Sequence, residues 1–186
     1  KSYRAEDIRY FILASHYRSP LNYSQENLEN GKAALTRLYS TLRGLAPESA
    51  SDNLCNGYYK AFHNAMEDDF NTPEAIAVLF EIAREINKQR AASPATANRL
   101  AACLVDLGQP LGLLQDDPEH YLREAAPEAA EREGALSAEV IEDLIAQRLK
   151  ARNDKDWAEA DRIRDQLDAA GIILEDAASG TRWRRS

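Results

Sequence analysis

The sequence predicts a mainly α-helical chain, in which an antiparallel helical bundle is followed by a small α+β domain of two helices and a β-hairpin. Apolar residues recur at intervals of three and four along most of the 186 residues, which is the spacing of one helix face. Near the carboxyl end this period changes to two short extended runs around Ser179 and Gly180, which is typical of a hairpin. Because the connections between the helical segments are short, an antiparallel bundle is favoured.

The first helices of the bundle are marked by apolar stripes and a capping residue. A short helix contains Ile8, Phe11 and Ile12. Ser24 is a suitable N-cap for a longer second helix, and a third extends to about Phe70. The stripe of the second helix comprises Leu28, Gly31, Leu35, Leu38, Leu42 and Leu45.

Two proline signals begin the remaining helices of the bundle. In Thr72-Pro73-Glu74 the threonine can cap, proline tolerates the first helical position, and glutamate favours the positive end of the helix dipole. Ser93-Pro94 repeats this signal, and Gly108 and Pro110 are predicted to bend or split the last helix. The apolar positions of the last helix are Ala97, Leu100, Leu104, Leu107, Leu111 and Leu114.

A change of composition separates the bundle from the tail. Asp, Pro, Glu and Ala dominate residues 116–136, which predicts a linker. Ser137 then caps a helix, and Asn153 or Asp154 begins another. We therefore expect an initial segment over 1–22, a bundle over 23–115, the linker, and a small C-terminal domain over 137–186. The predicted apolar faces of its helices are Val140, Ile141, Leu144, Ile145 and Leu149, then Trp157, Ala160, Ile163 and Leu167.

Composition bounds the possible partners. The chain has 23 Lys and Arg against 31 Asp and Glu, a formal charge of -8, which argues against unselective binding to nucleic acid or to an anionic membrane. Two cysteines 48 positions apart form neither a disulfide framework nor a CxxC zinc site, so a reducing, cytoplasmic location is expected. No apolar run reaches the ~18 residues of a membrane span. Lys1 stands where an initiator would, and we therefore interpret the sequence as a piece of a longer protein.

Residues able to carry out catalysis are few. His16, His63 and His120 lie in three different segments, without the spacing of two metal ligands on one helix face. The chain contains no GxxxxGK[ST], GxGxxG or GxSxG motif. An acidic run at residues 67–69 is interpreted as a solvated helix end. We predict neither catalytic nor metal-binding residues in this chain.

The tail has a different charge from the rest of the chain. Residues 148–186 contain nine Lys or Arg and eight Asp or Glu, a net +1, together with two tryptophans. Proteins that read single-stranded RNA base by base use such a mixture of residues. An indole stacks on a base, a carboxylate accepts hydrogen bonds from the edge of guanine, and arginine donates hydrogen bonds to cytosine. A structural interpretation stays open, because Trp157 falls on the predicted apolar stripe and Trp183 would pack the hairpin against the helices. Charged residues in the tail can equally be solvated or turn residues.

Several segments carry a family resemblance. Two of them are Ser15 to Ser24 (SHYRSPLNYS) and Ala65 to Asn87 (AMEDDFNTPEAIAVLFEIAREIN). Those in the tail are Ala151-Arg152, Lys155-Asp156-Trp157, Ala160-Asp161, Gly171-Ile172, Leu174-Glu175-Asp176 and Gly180 to Arg184. Here the chain resembles the C-terminal half of the bacterial cysteinyl-tRNA synthetases, which are class I aminoacyl-tRNA synthetases. Residues 3–11 resemble the segment after the family's KMSKS loop. In that segment Arg9 fits the end of a D-A-L-R-like motif, whereas Glu6 and Asp7 depart from it.

The resemblance implies an ATP-dependent cysteine–tRNA ligase whose catalytic domain, with its ATP and zinc sites, is missing here. The present chain would then need no cofactor and would be inactive alone. Residues 1–22 would form a stem-contact segment, and the bundle would be of the class I anticodon-binding type. Expected partners are tRNA(Cys) and the catalytic domain of the same protein, with no DNA and no membrane.

By the same resemblance, anticodon recognition is assigned to Arg152, Trp157, Asp161 and Asp176. The aspartates are expected to face guanine, and Arg152 to face cytosine. The alternative function is a helical-bundle module that binds a protein partner without RNA, with Trp157 or Trp183 as its anchor. An exposed indole beside Arg152 and Asp161 would favour RNA, whereas two buried indoles would favour the alternative.

Overall fold

The chain folds into two units. A computed structural model describes residues 3–47, 53–124, 136–177 and 180–185. Contacts between Cα atoms separate Tyr3–Tyr121, here the bundle unit, from the residues after Tyr121, here the tail unit. The helices of the bundle unit are α1 (Ala5–Leu13), α2 (Gln25–Leu42), α3 (Asn56–Glu67), α4 (Thr72–Ala92) and α5 (Pro94–Gly108), with a 3₁₀ turn (Gln109–Leu111) and a short α6 (Pro118–Arg123) at the boundary.

Capping side chains set the helix starts, and one of them differs from the prediction. Ser24 accepts from the Asn27 amide over 3.1 Å, which confirms it as the cap of α2. Asn71, not Thr72, caps α4 by accepting from the Glu74 amide over 3.3 Å. Thr72 is the first helical residue instead, and its hydroxyl donates to the Leu13 carbonyl over 2.8 Å. The predicted break near Gly108 is confirmed, since α5 ends there and the 3₁₀ turn follows.

The apolar stripes predicted from the sequence form the core of the bundle unit. α4 packs against both α3 and α5, and α1 packs against α2. Full burial of one such leucine or isoleucine contributes about 1.5–3 kcal/mol to the free energy of unfolding. The side chains shielded almost completely from solvent include Leu35, Leu38, Tyr39, Phe62, Leu79, Ile82, Ile86, Leu100 and Leu104.

Helix α1 is fastened to the turn after α5 through Glu6 and Arg9. The Glu6 carboxylate accepts from the Leu114 amide over 2.7 Å and from the Tyr39 hydroxyl over 2.9 Å. Arg9 donates to the Gly112 carbonyl over 2.6 Å. Gly112 has a φ of +63°, and a Cβ there would lie 3.2 Å from the Arg9 guanidinium, so the turn requires glycine. Burial raises the pKa of Glu6 above its ordinary value.

The tail unit has two helices and a hairpin, and with the bundle it confirms the predicted fold class. Its elements are α7 (Ala138–Asn153), α8 (Trp157–Ala169), β1 (Ile172–Ala177) and β2 (Gly180–Arg185). Ser137 caps α7 as predicted, by accepting from the Val140 amide. The strands pair antiparallel with Asp176 opposite Thr181. The apolar core of this unit includes Ile141, Leu144, Ile145, Ile163, Leu167, Ile172 and Trp183.

Three predictions for the tail helices are wrong. The second helix begins at Trp157 with Asp156 as its cap, rather than at Asn153 or Asp154, because α7 continues through Asn153. Val140 and Leu149 are 45% and 55% exposed, since the buried face of α7 follows Ile141, Leu144 and Ile145. Trp157 is likewise exposed, because the buried face of α8 follows Ala160, Ile163 and Leu167.

Trp183 takes the structural role that the sequence analysis proposed for it. Its side chain is fully buried among the apolar residues of α7, α8 and β1. The guanidinium groups of Arg123 and Arg185 lie 5.1 and 5.8 Å from the centre of its ring. An indole enclosed in this way cannot stack on a nucleobase or anchor a protein partner without unfolding of the unit.

Candidate nucleic-acid interface

The four residues assigned to RNA reading all lie on the surface of the tail unit. Arg152 is in the last turn of α7, Trp157 and Asp161 are in the first turns of α8, and Asp176 is on β1. Trp157 is 60% exposed, and the side chains of Asp161 and Asp176 are 64% and 59% exposed. All four are therefore accessible to a macromolecule.

The turn between α7 and α8 determines how Arg152 and Trp157 are presented. Lys155 adopts a left-handed conformation with a φ of +62°, and this reverses the chain within three residues. The Asp156 amide donates to the Ala151 carbonyl over 2.8 Å, which closes the end of α7. The Asp156 carboxylate then accepts from the Glu159 amide over 3.1 Å and caps α8. These bonds place Trp157 at the first position of a new helix, directly beside the turn.

Helical geometry explains why Trp157 is outside the core. At about 100° per residue, its side chain points roughly 85° away from the centre of the buried stripe formed by Ala160, Ile163 and Leu167. Asp161 follows one turn later and shares the side of α8 on which Trp157 lies. Arg164, on the same side, pairs with Asp161 over 3.3 Å between Nη1 and Oδ1. An exposed indole, a carboxylate and a guanidinium thus share one helix face.

Asp176 lies at the centre of a second group. The Thr181 hydroxyl, across the hairpin, donates to its Oδ1 over 2.8 Å. Arg152 Nη1 lies 3.7 Å from Oδ2, and Arg148 Nη1 lies 3.7 Å from Oδ1. The strand pairing of β1 and β2 therefore brings a carboxylate to two arginines of α7.

The structure joins the predicted residues in two pairs. Arg152 lies beside Asp176, and Trp157 lies on one helix face with Asp161. Sequence reasoning missed Arg148, whose side chain is only 14% exposed. The sequence could have indicated Arg148, because it lies four residues before Arg152. Both positions continue the helical spacing of the buried α7 residues.

The chemistry of these exposed groups is suited to contact with nucleobases. An exposed indole supplies a stacking surface, which is tolerant of base identity. A carboxylate can accept from guanine N1–H and its amino group, whereas a guanidinium can donate to the acceptors of cytosine. Together they offer both stacking and edge recognition, which is how proteins read single-stranded RNA.

The potential metal ligands of the described residues do not form a zinc site. Cys55 and Cys103 are both buried and unoxidised. Among residues 3–47, 53–124, 136–177 and 180–185, His, Cys, Asp and Glu form no group of three that could hold a metal ion. In that same part of the chain, every helix is too short or too polar to span a bilayer.

Comparison with known domain families gives two matches. Residues 61–115, which cover most of α3 and all of α4 and α5, match a family described as a DALR domain. The segment 3–11, in which Arg9 fits a D-A-L-R-like motif, lies outside this match. Residues 133–184 match a family described as a cysteinyl-tRNA ligase anticodon binding domain, and this range includes Arg152, Trp157, Asp161 and Asp176.

Comparison of the whole chain with known proteins also gives cysteine–tRNA ligases. The chain is 57% identical to the cysteine–tRNA ligase of Methylococcus capsulatus, over 98% of its own length and 39% of that protein. It is 52% identical to the cysteine–tRNA ligase of Idiomarina loihiensis, over 100% of its own length and 39% of that protein. It is 56% identical to the cysteine–tRNA ligase of Thioalkalivibrio sulfidiphilus, over 98% of its own length and 38% of that protein. The chain thus spans about two fifths of the length of these relatives.

Proposed function

The chain belongs to the cysteine–tRNA ligase family, and on that premise we propose that it binds tRNA(Cys) and that its tail unit reads the anticodon. The observation that supports this most directly is the exposed Trp157, which shares a helix face with Asp161 inside the region matched to an anticodon-binding domain. Arg152 and Asp176 add a cation and a carboxylate to the same small unit.

The cysteine anticodon offers guanine and cytosine edges to these side chains. We assign Asp161 and Asp176 to guanine, because a carboxylate accepts two hydrogen bonds from its N1–H and amino group. We assign Arg152 to cytosine, whose edge presents acceptors to a guanidinium. Trp157 supplies stacking, which contributes about 1–3 kcal/mol per base.

A second tRNA contact is proposed for the segment 1–22, as a stem-contact segment. Tyr17 is 60% exposed, and its hydroxyl donates to Asp69 over 2.7 Å. Arg18 pairs with the same carboxylate over 2.7 Å, and its guanidinium lies 5.4 Å from the centre of the Tyr17 ring. An aromatic ring and a cation held together on the surface suit contact with RNA.

For the whole protein we propose activation of cysteine with ATP and its transfer to tRNA(Cys) in the cytoplasm. The sequence has no GxxxxGK[ST] or GxGxxG motif, and the residues that the structure describes form no group of three metal ligands. We therefore place ATP and zinc binding in the catalytic domain outside these residues, which is also the intramolecular partner of this chain. We propose that this chain, which spans about two fifths of the length of its relatives, does not aminoacylate tRNA alone.

The alternative function, a protein-binding module without RNA, is not what the relatives support, because each of those compared is a cysteine–tRNA ligase. Of its two proposed anchors, Trp183 is buried and Trp157 is exposed.

The proposal is tested by binding the full 186-residue chain to tRNA(Cys) and to the same tRNA with the guanine of its first anticodon position replaced. The measurement is fluorescence anisotropy of labelled tRNA at two salt concentrations, because contacts to phosphates weaken steeply with salt whereas base reading changes little. We expect weak binding by the chain alone, with a preference for the native anticodon that persists at the higher salt. Equal affinity for both tRNAs would contradict anticodon reading by this chain.

A further inference from the structure

The core-facing side of α7 ends in two arginines. Ile141, Leu144 and Ile145 of α7 are buried in the core of the tail unit. At about 100° per residue, positions 148 and 152 lie within roughly 20° of Ile141 around the helix axis. The face that is apolar in the first half of α7 is therefore cationic in its second half.

The two arginines differ in their exposure to solvent. The Arg148 side chain is 14% exposed, whereas that of Arg152 is 44% exposed. The aliphatic stem of a largely buried arginine packs against its neighbours, which restricts the directions available to its guanidinium. Arg148 is thus the constrained member of the pair, and Arg152 is the accessible one.

Both arginines approach the same carboxylate, but each approaches a different oxygen. Arg148 Nη1 and the Thr181 hydroxyl lie 3.7 and 2.8 Å from Asp176 Oδ1. Arg152 Nη1 lies 3.7 Å from Oδ2. Oδ1 therefore has a hydrogen bond from Thr181 and an ion-pair contact with Arg148, whereas Oδ2 has an ion-pair contact with the accessible Arg152.

We infer that Arg148 is a positioning residue of the anticodon site, which holds the Asp176 carboxylate so that Oδ2 and the Arg152 guanidinium stay available to bases. The inference rests on the proposed function of the tail unit. It adds a specificity-determining residue that does not touch the RNA itself.

Charge balance gives the physical reason. Two guanidinium groups and one carboxylate leave this group with a net charge of +1. Without Arg148, Arg152 would be the one guanidinium of this group left beside the Asp176 carboxylate. The two would then form a closer pair with no net charge. N–H groups of Arg152 would then donate to Asp176 and not to a base, and Asp176 Oδ2 would no longer be available to accept from a base.

The test is a double-mutant cycle in the full chain with Arg148→Gln and Asp176→Asn, read out as the ratio of affinities for tRNA(Cys) and the tRNA with its first anticodon base replaced. We expect Arg148→Gln to lower this ratio by about 5-fold or more. In the Asp176→Asn background the same change should alter the ratio by less than about 2-fold, because the carboxylate on which Arg148 acts is gone. Arg148→Lys keeps the charge and should restore part of the ratio.

A matched control separates positioning from general loss of charge. Arg162→Gln removes an arginine of α8 that is 57% exposed and pairs with Glu159 instead. It should leave the affinity ratio unchanged, while thermal unfolding shows whether any variant has lost its fold. Arg148→Lys keeps the inference testable if Arg148→Gln unfolds.

The outcomes distinguish the inference from the function on which it rests. Equal weakening of both tRNAs by Arg148→Gln would make Arg148 a phosphate contact and overturn the inference. The same effect of Arg148→Gln in both backgrounds would also overturn it. If the unmodified chain itself shows no preference between the tRNAs, the proposed function fails and the inference fails with it.

Discussion

The indole nitrogen of Trp183 donates to Oε1 of Glu142 over 2.8 Å, and this bond joins the second strand of the hairpin to α7. It satisfies the single polar group of a side chain that is fully buried in the core of the tail unit. Because Trp183 is committed to the core in this way, the exposed Trp157 is the tryptophan available for contact with RNA. The two tryptophans therefore have separate roles, and variants can test them separately.

Replacing Trp157 by alanine should weaken binding of tRNA(Cys) with little effect on stability. The side chain is 60% exposed, so its removal leaves no cavity. Loss of one stacked base costs about 1–3 kcal/mol of binding free energy. The measurement is the dissociation constant together with the midpoint of thermal unfolding. Unchanged binding would show that the indole does not stack on the RNA.

Replacing Trp183 by alanine should have the opposite profile. It opens a cavity in the tail unit and leaves the Glu142 carboxylate without its indole donor, so we expect a loss of about 3–5 kcal/mol in the free energy of unfolding. Urea unfolding followed by circular dichroism measures the change. Trp157→Ala serves as the matched control, and comparable stability losses in the two variants would contradict the assignment of core and surface.

Asp161→Ala and Asp176→Ala should weaken binding of tRNA(Cys) more than binding of an unrelated tRNA. A carboxylate that accepts from guanine contributes to selectivity, and its loss should cost about 1–3 kcal/mol with the native anticodon. Competition between the two tRNAs for each variant gives this difference directly. Equal losses for both tRNAs would mean that the aspartates position the backbone and do not read a base.

Glu6 should make the stability of the bundle unit depend on pH. Burial is the largest cause that raises its pKa above the ordinary 4.5, while hydrogen bonds from the Leu114 amide and Tyr39 lower it. With a pKa higher in the folded than in the unfolded state, the folded chain binds more protons between those two values. Stability attributable to Glu6 is therefore present at low pH and is lost as pH rises through the folded pKa.

The check is chemical unfolding of the native chain and of Glu6→Gln from pH 7 down toward the ordinary pKa of a glutamate. The native chain should gain stability relative to the variant as pH falls. Glu81→Gln, at an exposed position of α4, is the control for removal of one carboxylate. If the difference in free energy of unfolding between the native chain and Glu6→Gln stays constant with pH, titration of Glu6 in this range is excluded.

Most of the fold follows from local patterns, and the exceptions have local causes. Ser24 and Ser137 were recognised as caps because capping depends on a side chain and the next three residues. Thr72 was misassigned because its hydroxyl is used by Leu13, 59 residues away. The start of α8 was placed too early because Lys155 accepts a left-handed conformation that its residue type does not announce.

Residue types and their spacing determined the helical bundle, the two helices and hairpin of the tail, and the kinds of side chain suited to reading bases. These features depend on periodicity, capping and composition, which a sequence displays directly. Only the tertiary structure decided that Trp157 is exposed and Trp183 enclosed, and that Asp176 lies between Arg148 and Arg152. The reason is physical: burial and ion pairing depend on which faces of α7, α8 and the hairpin pack together, and residues 24 to 28 positions apart meet only after that packing.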